Sequence, residues 1–219
     1  AATLLWGGMA ALLPLSSLLP WFVYVPLAGL LFGCGYFAHF VLVIHECSHG
    51  IFLKTRDHEL NHRIGRLASV PFFTEYEKHW RNGHRIHHLR PCEPDDPQDR
   101  HPLTGSELAS AYQRLWLSPL GPLAQNPSRQ YPGQARRTAA SLLFWLPAFA
   151  AGLQFSWSVP TAMLLGFHVL ASLRLAKIAQ EHGGGLASEP DPMLRSRTYT
   201  YPFQFLFSPF NINRHFEHH

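Results

Sequence analysis

Two long stretches of this chain contain no charge at all. Residues 1–44 and 138–173, together 80 positions, have no Lys, Arg, Asp or Glu. The chain carries 18 Lys and Arg and 14 Asp and Glu in 219 residues, so about a dozen charges would fall there if they were spread evenly. A soluble domain needs a polar face on its surface elements, and a disordered chain needs low hydrophobicity. Neither condition is met. The mean hydropathy of −0.05 hides this, because two apolar blocks are averaged with two very polar ones. The segregation specifies an integral membrane protein.

All 18 basic residues lie in 45–137 or 174–219. The positive-inside rule therefore places both polar regions on the cytoplasmic side, against anionic headgroups. A nucleic-acid surface is the rival explanation of the net charge of +4; no binding motif accompanies it, and no nucleic-acid partner is expected. Cys34, Cys47 and Cys92 form an odd set without the spacing of a disulfide framework. The chain starts without Met and stops inside a motif, so a truncated C-terminus is expected. The absence of a basic segment ahead of the first block argues against a cleaved signal peptide. The 15 Arg against 3 Lys suggest a GC-rich bacterial source, and hence a bacterial inner membrane.

The first apolar block is too long for one span of about 20 residues. Pro14 and Pro20 interrupt it, and Trp21 and Tyr24 suit an interface. The expectation is a hairpin with spans over about 1–19 and 21–44. The second block repeats the pattern, with spans over about 139–155 and 161–178 joined by a turn at Trp157-Ser-Val-Pro160. Arg136, Arg137, Arg174 and Lys177 mark the far side from that turn. The expected fold is all-α: one domain over 1–219, two transmembrane hairpins, and a His-rich cytoplasmic cap from 45–137 and 179–219. The Pro-rich stretch from Arg90 to Gln134 reads as a surface loop.

Histidine carries the chemistry. His45-Glu-Cys-Ser-His49 is an HxxxH box; His84-Arg-Ile-His87-His88 and His215-Phe-Glu-His218-His219 are both HxxHH. His182 stands alone just past the fourth span. Spacings of three and four place side chains on one helical face, so each box aims its imidazoles at a common point. Imidazole is a good ligand for Fe, Zn, Cu and Ni. Nine imidazoles exceed the needs of one ion and suit two. A single HxxHH is more often a surface accident; three boxes and a fourth His on one predicted face are not.

His45-Glu46-Cys47-Ser48-His49 also reads as HExxH, the zinc metallopeptidase motif, with Glu46 as general base. A membrane zinc protease would leave both HxxHH boxes unexplained. A transporter would place its ionisable ligands in mid-membrane, whereas these boxes lie at helix ends.

The order HxxxH, HxxHH, two spans, HxxHH resembles the membrane fatty-acid desaturase and hydroxylase superfamily. The surroundings are similar as well: Asn61 and Gly65 after the first box, Asp96-Pro97 after the second, and Asn213-Arg-His215-Phe-Glu217-His218-His219. The resemblance covers roughly 39–219. It implies a non-haem diiron enzyme that uses O2 and two electrons. The implied iron ligands are His45, His49, His84, His87, His88, His182, His215, His218 and His219. Glu46, Glu181 and Glu217 either fix ligand tautomers as acceptors or are merely solvated. Asp96, with Asp95, either does the same or caps a turn.

The departures narrow the expectation. Box one is HxxxH, not the HxxxxH typical of acyl-CoA desaturases, which favours an acyl-lipid, sphingolipid or carotenoid-type substrate. Box three begins with His215 where front-end desaturases carry Gln. No haem domain or ferredoxin motif is present, so a separate carrier of ferredoxin or cytochrome-b type is the expected electron donor. The leading function is O2-dependent desaturation of a lipid acyl chain; the alternative is a fatty-acid or carotenoid hydroxylase or ketolase. Phe72, Phe73 and Trp80 are candidates to line a substrate tunnel, with core packing the favoured role. His39 and His168, inside spans, are functional candidates by position, with a neutral imidazole bonded to a neighbouring helix the favoured reading. His58, His62, His79 and His101 read as exposed or locally bonded. Arg85 and Arg90 suit a headgroup, the electron donor or ordinary positive-inside charge.

Overall fold

The computed structural model describes residues 2–98, 104–124, 133–198 and 200. Among these the regular structure is helical throughout, without strands. The helices are α1 (Ala2–Ala11), α2 (Leu15–Leu18), α3 (Trp21–Ser48), α4 (His58–Ala68), α5 (76–89), α6 (Gly105–Trp116), α7 (Gly121–Ala124), α8 (Gln134–Phe155) and α9 (Ser158–His182). Three of them, α3, α8 and α9, are long and apolar enough to cross a membrane.

The expected span over 1–19 is not one helix. α1 stops at Ala11, and the amides of Leu12, Leu13 and Leu15 bond three residues back, to Met9, Ala10 and Leu12. Pro14 explains this: it has no N–H to continue the helical ladder, and its ring obstructs the turn before it. The second hairpin also differs in detail. Its turn is only Ser156-Trp157, and Pro160 sits in the first turn of α9, where an amide would have no helical partner. α9 runs on to His182, which is its last residue rather than a residue beyond it.

α3 and α9 form the most extensive helix pair, and glycines bring them together. A Cβ on Gly29 would lie 2.7 Å from Leu165, one on Gly33 2.4 Å from Val169, and one on Gly166 1.9 Å from Phe32. Gly29 and Gly33 stand four apart, the small-residue spacing that allows apolar helices to approach closely. The contacts rise together along both helices, so α3 and α9 run parallel. Their C-terminal ends, which carry His45, His49 and His182, therefore lie at the same end of the bundle.

The segment between the spans is more ordered than a loop. Thr104 caps α6 with a full capping box: its hydroxyl accepts the Glu107 amide, while the Glu107 carboxylate accepts the Thr104 amide at 2.9 Å. α6 then packs along α9, with the Tyr112 hydroxyl donating to the Ser172 carbonyl at 2.8 Å and Trp116 Nε1 to Ser172 Oγ at 3.1 Å. His168 meets the Ser118 carbonyl at 3.0 Å through Nε2, and His39 meets the Ala68 carbonyl at 3.3 Å. Both intraspan histidines are thus bonded to neighbouring segments, as expected.

Candidate metal centre

Each of the first two histidine boxes begins where a helix changes its winding. α3 opens to π-helical bonding over Phe40–His45 and returns to α-helix at Glu46. α5 is π-helical over Tyr76–His84 and α-helical over Arg85–Leu89. Both π stretches end on the first His of a box. The extra residue of a π turn rotates everything after it by about 100° relative to the helix before it. His45 and His49, and His84 and His88, then follow at i, i+4 and share a face.

The two faces meet. Ligand nitrogens of His45, His49, His84 and His88 all lie within 4.8 Å of one another. His84 Nε2 is 3.1 Å from His49 Nε2 and 3.0 Å from His88 Nε2. Gln98 determines what these contacts are. Its side-chain nitrogen donates to the His79 carbonyl at 2.7 Å, which turns its oxygen to His84 Nδ1 at 2.5 Å. The His84 proton is therefore on Nδ1, and Nε2 presents a lone pair to two other Nε2 atoms. Nitrogens about 2.1 Å from one metal, at tetrahedral to octahedral angles, would be about 3.0–3.4 Å apart. The two spacings from His84 fit such an ion.

Electrostatics agree. Burial pushes the His84 imidazole well below its ordinary pKa, and the nearby His45, His88, His87 and His49 push the same way. Both effects favour the neutral His84 imidazole, the form that binds a metal. His45 Nδ1 lies 3.1 Å from Glu46 Oε1, so the carboxylate sits on the Nδ1 side of that ring.

A second set adjoins the first. His87 is 5.8 Å from His84 between ring centroids and 4.9 Å from His182. Asp96, 1% exposed, faces His87 Nδ1 at 2.7 Å. The amides of Cys92 (3.1 Å) and Gln98 (2.9 Å) donate to the same carboxylate. Burial alone would raise the Asp96 carboxyl, but the His87 hydrogen bond and charge and these amides hold it below its usual value. His182 Nδ1 donates to the Arg195 carbonyl at 3.0 Å. Arg195 in turn bonds the Glu189 carbonyl through Nε at 2.6 Å and pairs with Glu93. The 189–197 segment thereby closes over the end of α9 and ties it to the turn after box two.

Glu181, which is buried, pairs with Lys177 one turn earlier on α9. His215, Glu217, His218 and His219 lie outside the described residues. His79, expected to be exposed or locally bonded, is 3% exposed; the π-helical winding of α5 turns it into the bundle. His58 and His62 do bond locally, to the Gly50 carbonyl and the Tyr76 hydroxyl. The residues beside the first box have structural roles. Asn61 clamps the loop after it by bonding Gly50 and both backbone groups of Leu53, and at Gly65 a Cβ would strike the Tyr76 ring at 2.4 Å. Gln98 and Arg195 were not singled out in the sequence. Gln98 follows the Asp-Asp-Pro turn closely enough to have been suspected; nothing in the sequence marks Arg195.

A family model described as fatty acid desaturase matches residues 19–219. The chain belongs to the fatty acid desaturase family. No curated protein and no solved structure matches it. The fatty acid desaturase match begins at Leu19, so it takes in α3 and everything after it while leaving out α1 and α2. Membership, three apolar helices and an imidazole cluster able to hold a metal together indicate a membrane protein of oxidoreductase type.

Proposed function

We propose that this fatty acid desaturase family member removes two hydrogens from adjacent methylenes of a lipid acyl chain, at a centre of two iron ions held by imidazole. The observation that carries the reading is the pair of adjoining histidine sets at one end of the bundle. His45, His49, His84 and His88 would hold one ion; His87 and His182, with His215, His218 and His219, the other. When bound, the irons supply the one-electron chemistry with O2 that an unactivated C–H bond demands and side chains lack. Overall, O2 accepts the two hydrogens plus two electrons and two protons, and leaves as two waters. The electrons come from a separate ferredoxin or cytochrome-b-type carrier.

The protein's share is orientation and exclusion of water. Gln98 and Asp96 fix the tautomers of His84 and His87, and the Arg195 carbonyl fixes that of His182. Such partners orient a ligand and raise its basicity. On the membrane side, Ile44, Phe40 and Trp80 are buried beneath the histidines. Further down α3, a cavity of about 250 Å3 lies between α1, α3, α8 and α9, walled by residues such as Leu12, Phe32, Trp145 and Met163. Its lining suits hydrocarbon. Phe32 lies about 20 Å along the helix from His45, and the packed rings of Phe32, Tyr36, Phe167 and Trp145 separate the cavity from the histidine end. The basic residues flanking the spans support a cytoplasmic site.

A hydroxylase or ketolase would use the same ligands, one oxygen atom remaining in the product. The zinc-protease reading fares worse: the HExxH histidines converge with two further imidazoles, and Glu46 lies on the Nδ1 side of His45 instead of facing the cluster. Mass analysis of lipids from cells expressing the full chain tests the proposal. A product lighter by two hydrogens supports it; a product heavier by one oxygen replaces desaturation with hydroxylation.

A further inference from the structure

Arg174, on the basic side of the second hairpin, brings its charge into the helix bundle about 12 Å from His182 along α9. Its guanidinium carbon lies 5.0 Å from the centroid of the Phe40 ring. None of the ion pairs among the described residues includes it, whereas Lys177, three residues on, is matched by Glu181. A cation at this depth is costly, and such residues mark substrate paths by default. The Phe40 face offsets part of the lost hydration but offers no acceptor oxygen for a fork of five N–H groups.

The surroundings are built as a receptacle. Arg174 forms one wall of a narrow cleft of about 40 Å3, with Tyr36, Phe72, Phe73, Phe167 and Leu170 among the others. Phe73 stands at φ 55°, ψ 27°, a left-handed conformation that bulky residues avoid and that recurs at ligand clamps. Its amide is anchored on Ser141 Oγ at 3.2 Å. Trp80 packs edge-on against the same Phe40 ring, 4.8 Å between centroids; it is 3% exposed, and its indole N–H has no acceptor among the described residues.

We propose that the Arg174 cleft seats the anionic head of the lipid substrate, a carboxylate or phosphate held bidentately by the guanidinium. This rests on the lipid reading above and adds the group by which the lipid is recognised. Two parallel N–H···O bonds are how Arg binds such oxyanions.

The test is equilibrium binding to the full chain in neutral detergent, with palmitate, methyl palmitate, dipalmitoyl phosphatidylglycerol and dipalmitoyl phosphatidylcholine as probes. Metal content is measured on the same samples. Arg174→Gln is expected to weaken palmitate or phosphatidylglycerol about tenfold, with methyl palmitate altered less than about twofold and metal content unchanged. Arg174→Lys should recover part of the loss. A loss confined to palmitate assigns a free carboxylate, and a loss confined to the phospholipids a phosphate. If Arg174→Gln does not fold, Ala171→Leu fills the same cleft and is expected to weaken the same anion. Equal binding by wild type and variants, or an equal fall for the neutral ester, overturns the proposal. Wild type that binds the anion through Arg174 yet holds no metal would leave the head site standing and remove the diiron reading instead.

Discussion

Gln98 accepts the Nδ1 proton of His84 at 2.5 Å while donating to the carbonyl of His79 at 2.7 Å. That pair of bonds fixes which nitrogen of His84 faces His49 and His88. Replacing Gln98 by Leu removes the acceptor and frees the tautomer. The expected cost is about 10–100-fold in metal affinity, read by competition with a chromophoric chelator, with helical content unchanged by circular dichroism.

Asp96 and His87 make the matching pair in the second set. Asp96→Asn keeps the shape of the turn but removes the charge that favours metal binding through the opposite ring nitrogen. Asp96→Asn should weaken the second ion by about 10–100-fold and leave the first in place. Titration with Co(II), followed by its visible absorption, separates the two steps; loss of both ions together would show that the sets are not independent.

Gly166 faces Phe32 so closely that a Cβ would lie 1.9 Å from the ring. Gly166→Ala must push α9 away from α3 and so displace His182 relative to His45. Overpacking of this kind costs about 1–3 kcal/mol, seen as a lower Tm in detergent together with weaker metal binding. Gly7→Ala, where no atom lies within 4 Å, is the control and should not lower the Tm.

His79 gives the apo protein a pH dependence. Burial lowers its pKa to about 3; the charges of Arg174 and His87 act in the same direction and Asp96 opposes them. In the unfolded chain the imidazole takes up a proton as pH falls through about 6.5, while the folded protein resists until about 3. Between those limits the unfolded state binds more protons, so stability falls as pH falls, by up to about 1.4 kcal/mol per unit for such a group. His79→Gln should flatten the slope of stability against pH between about 6.5 and 4. An unchanged slope would mean that His79 is already protonated when folded.

The spacing of charges and histidines carried much of this in one dimension. Charge-free blocks require apolar helices, and i, i+4 histidines at helix ends converge when those ends do. What escaped were features that depend on the third dimension. The expected span over 1–19 is interrupted before Pro14 and is not among the helices long and apolar enough to cross a membrane, because proline breaks the backbone ladder within a run of apolar side chains. The helix at Gly105–Trp116 was signalled by Thr104 and Glu107, three apart, but the prolines around it made the stretch read as loop. His79, read as exposed or locally bonded, is buried because the π stretch over Tyr76–His84 turns it into the bundle. Arg195 acts on His182 through its backbone carbonyl, and a carbonyl leaves no mark in a sequence.

The central claim is that two adjoining histidine sets hold two metals. Metal per chain, measured on detergent-purified wild type and on His84→Ala and His87→Ala, tests it most directly. The expected result is about two ions in wild type and a loss of one or both in each variant. Stoichiometry is the quantity to read, because zinc outcompetes Fe(II) at nitrogen sites. A single ion that survives both substitutions and disappears with His45→Ala would contradict the account and make the HExxH box a mononuclear site.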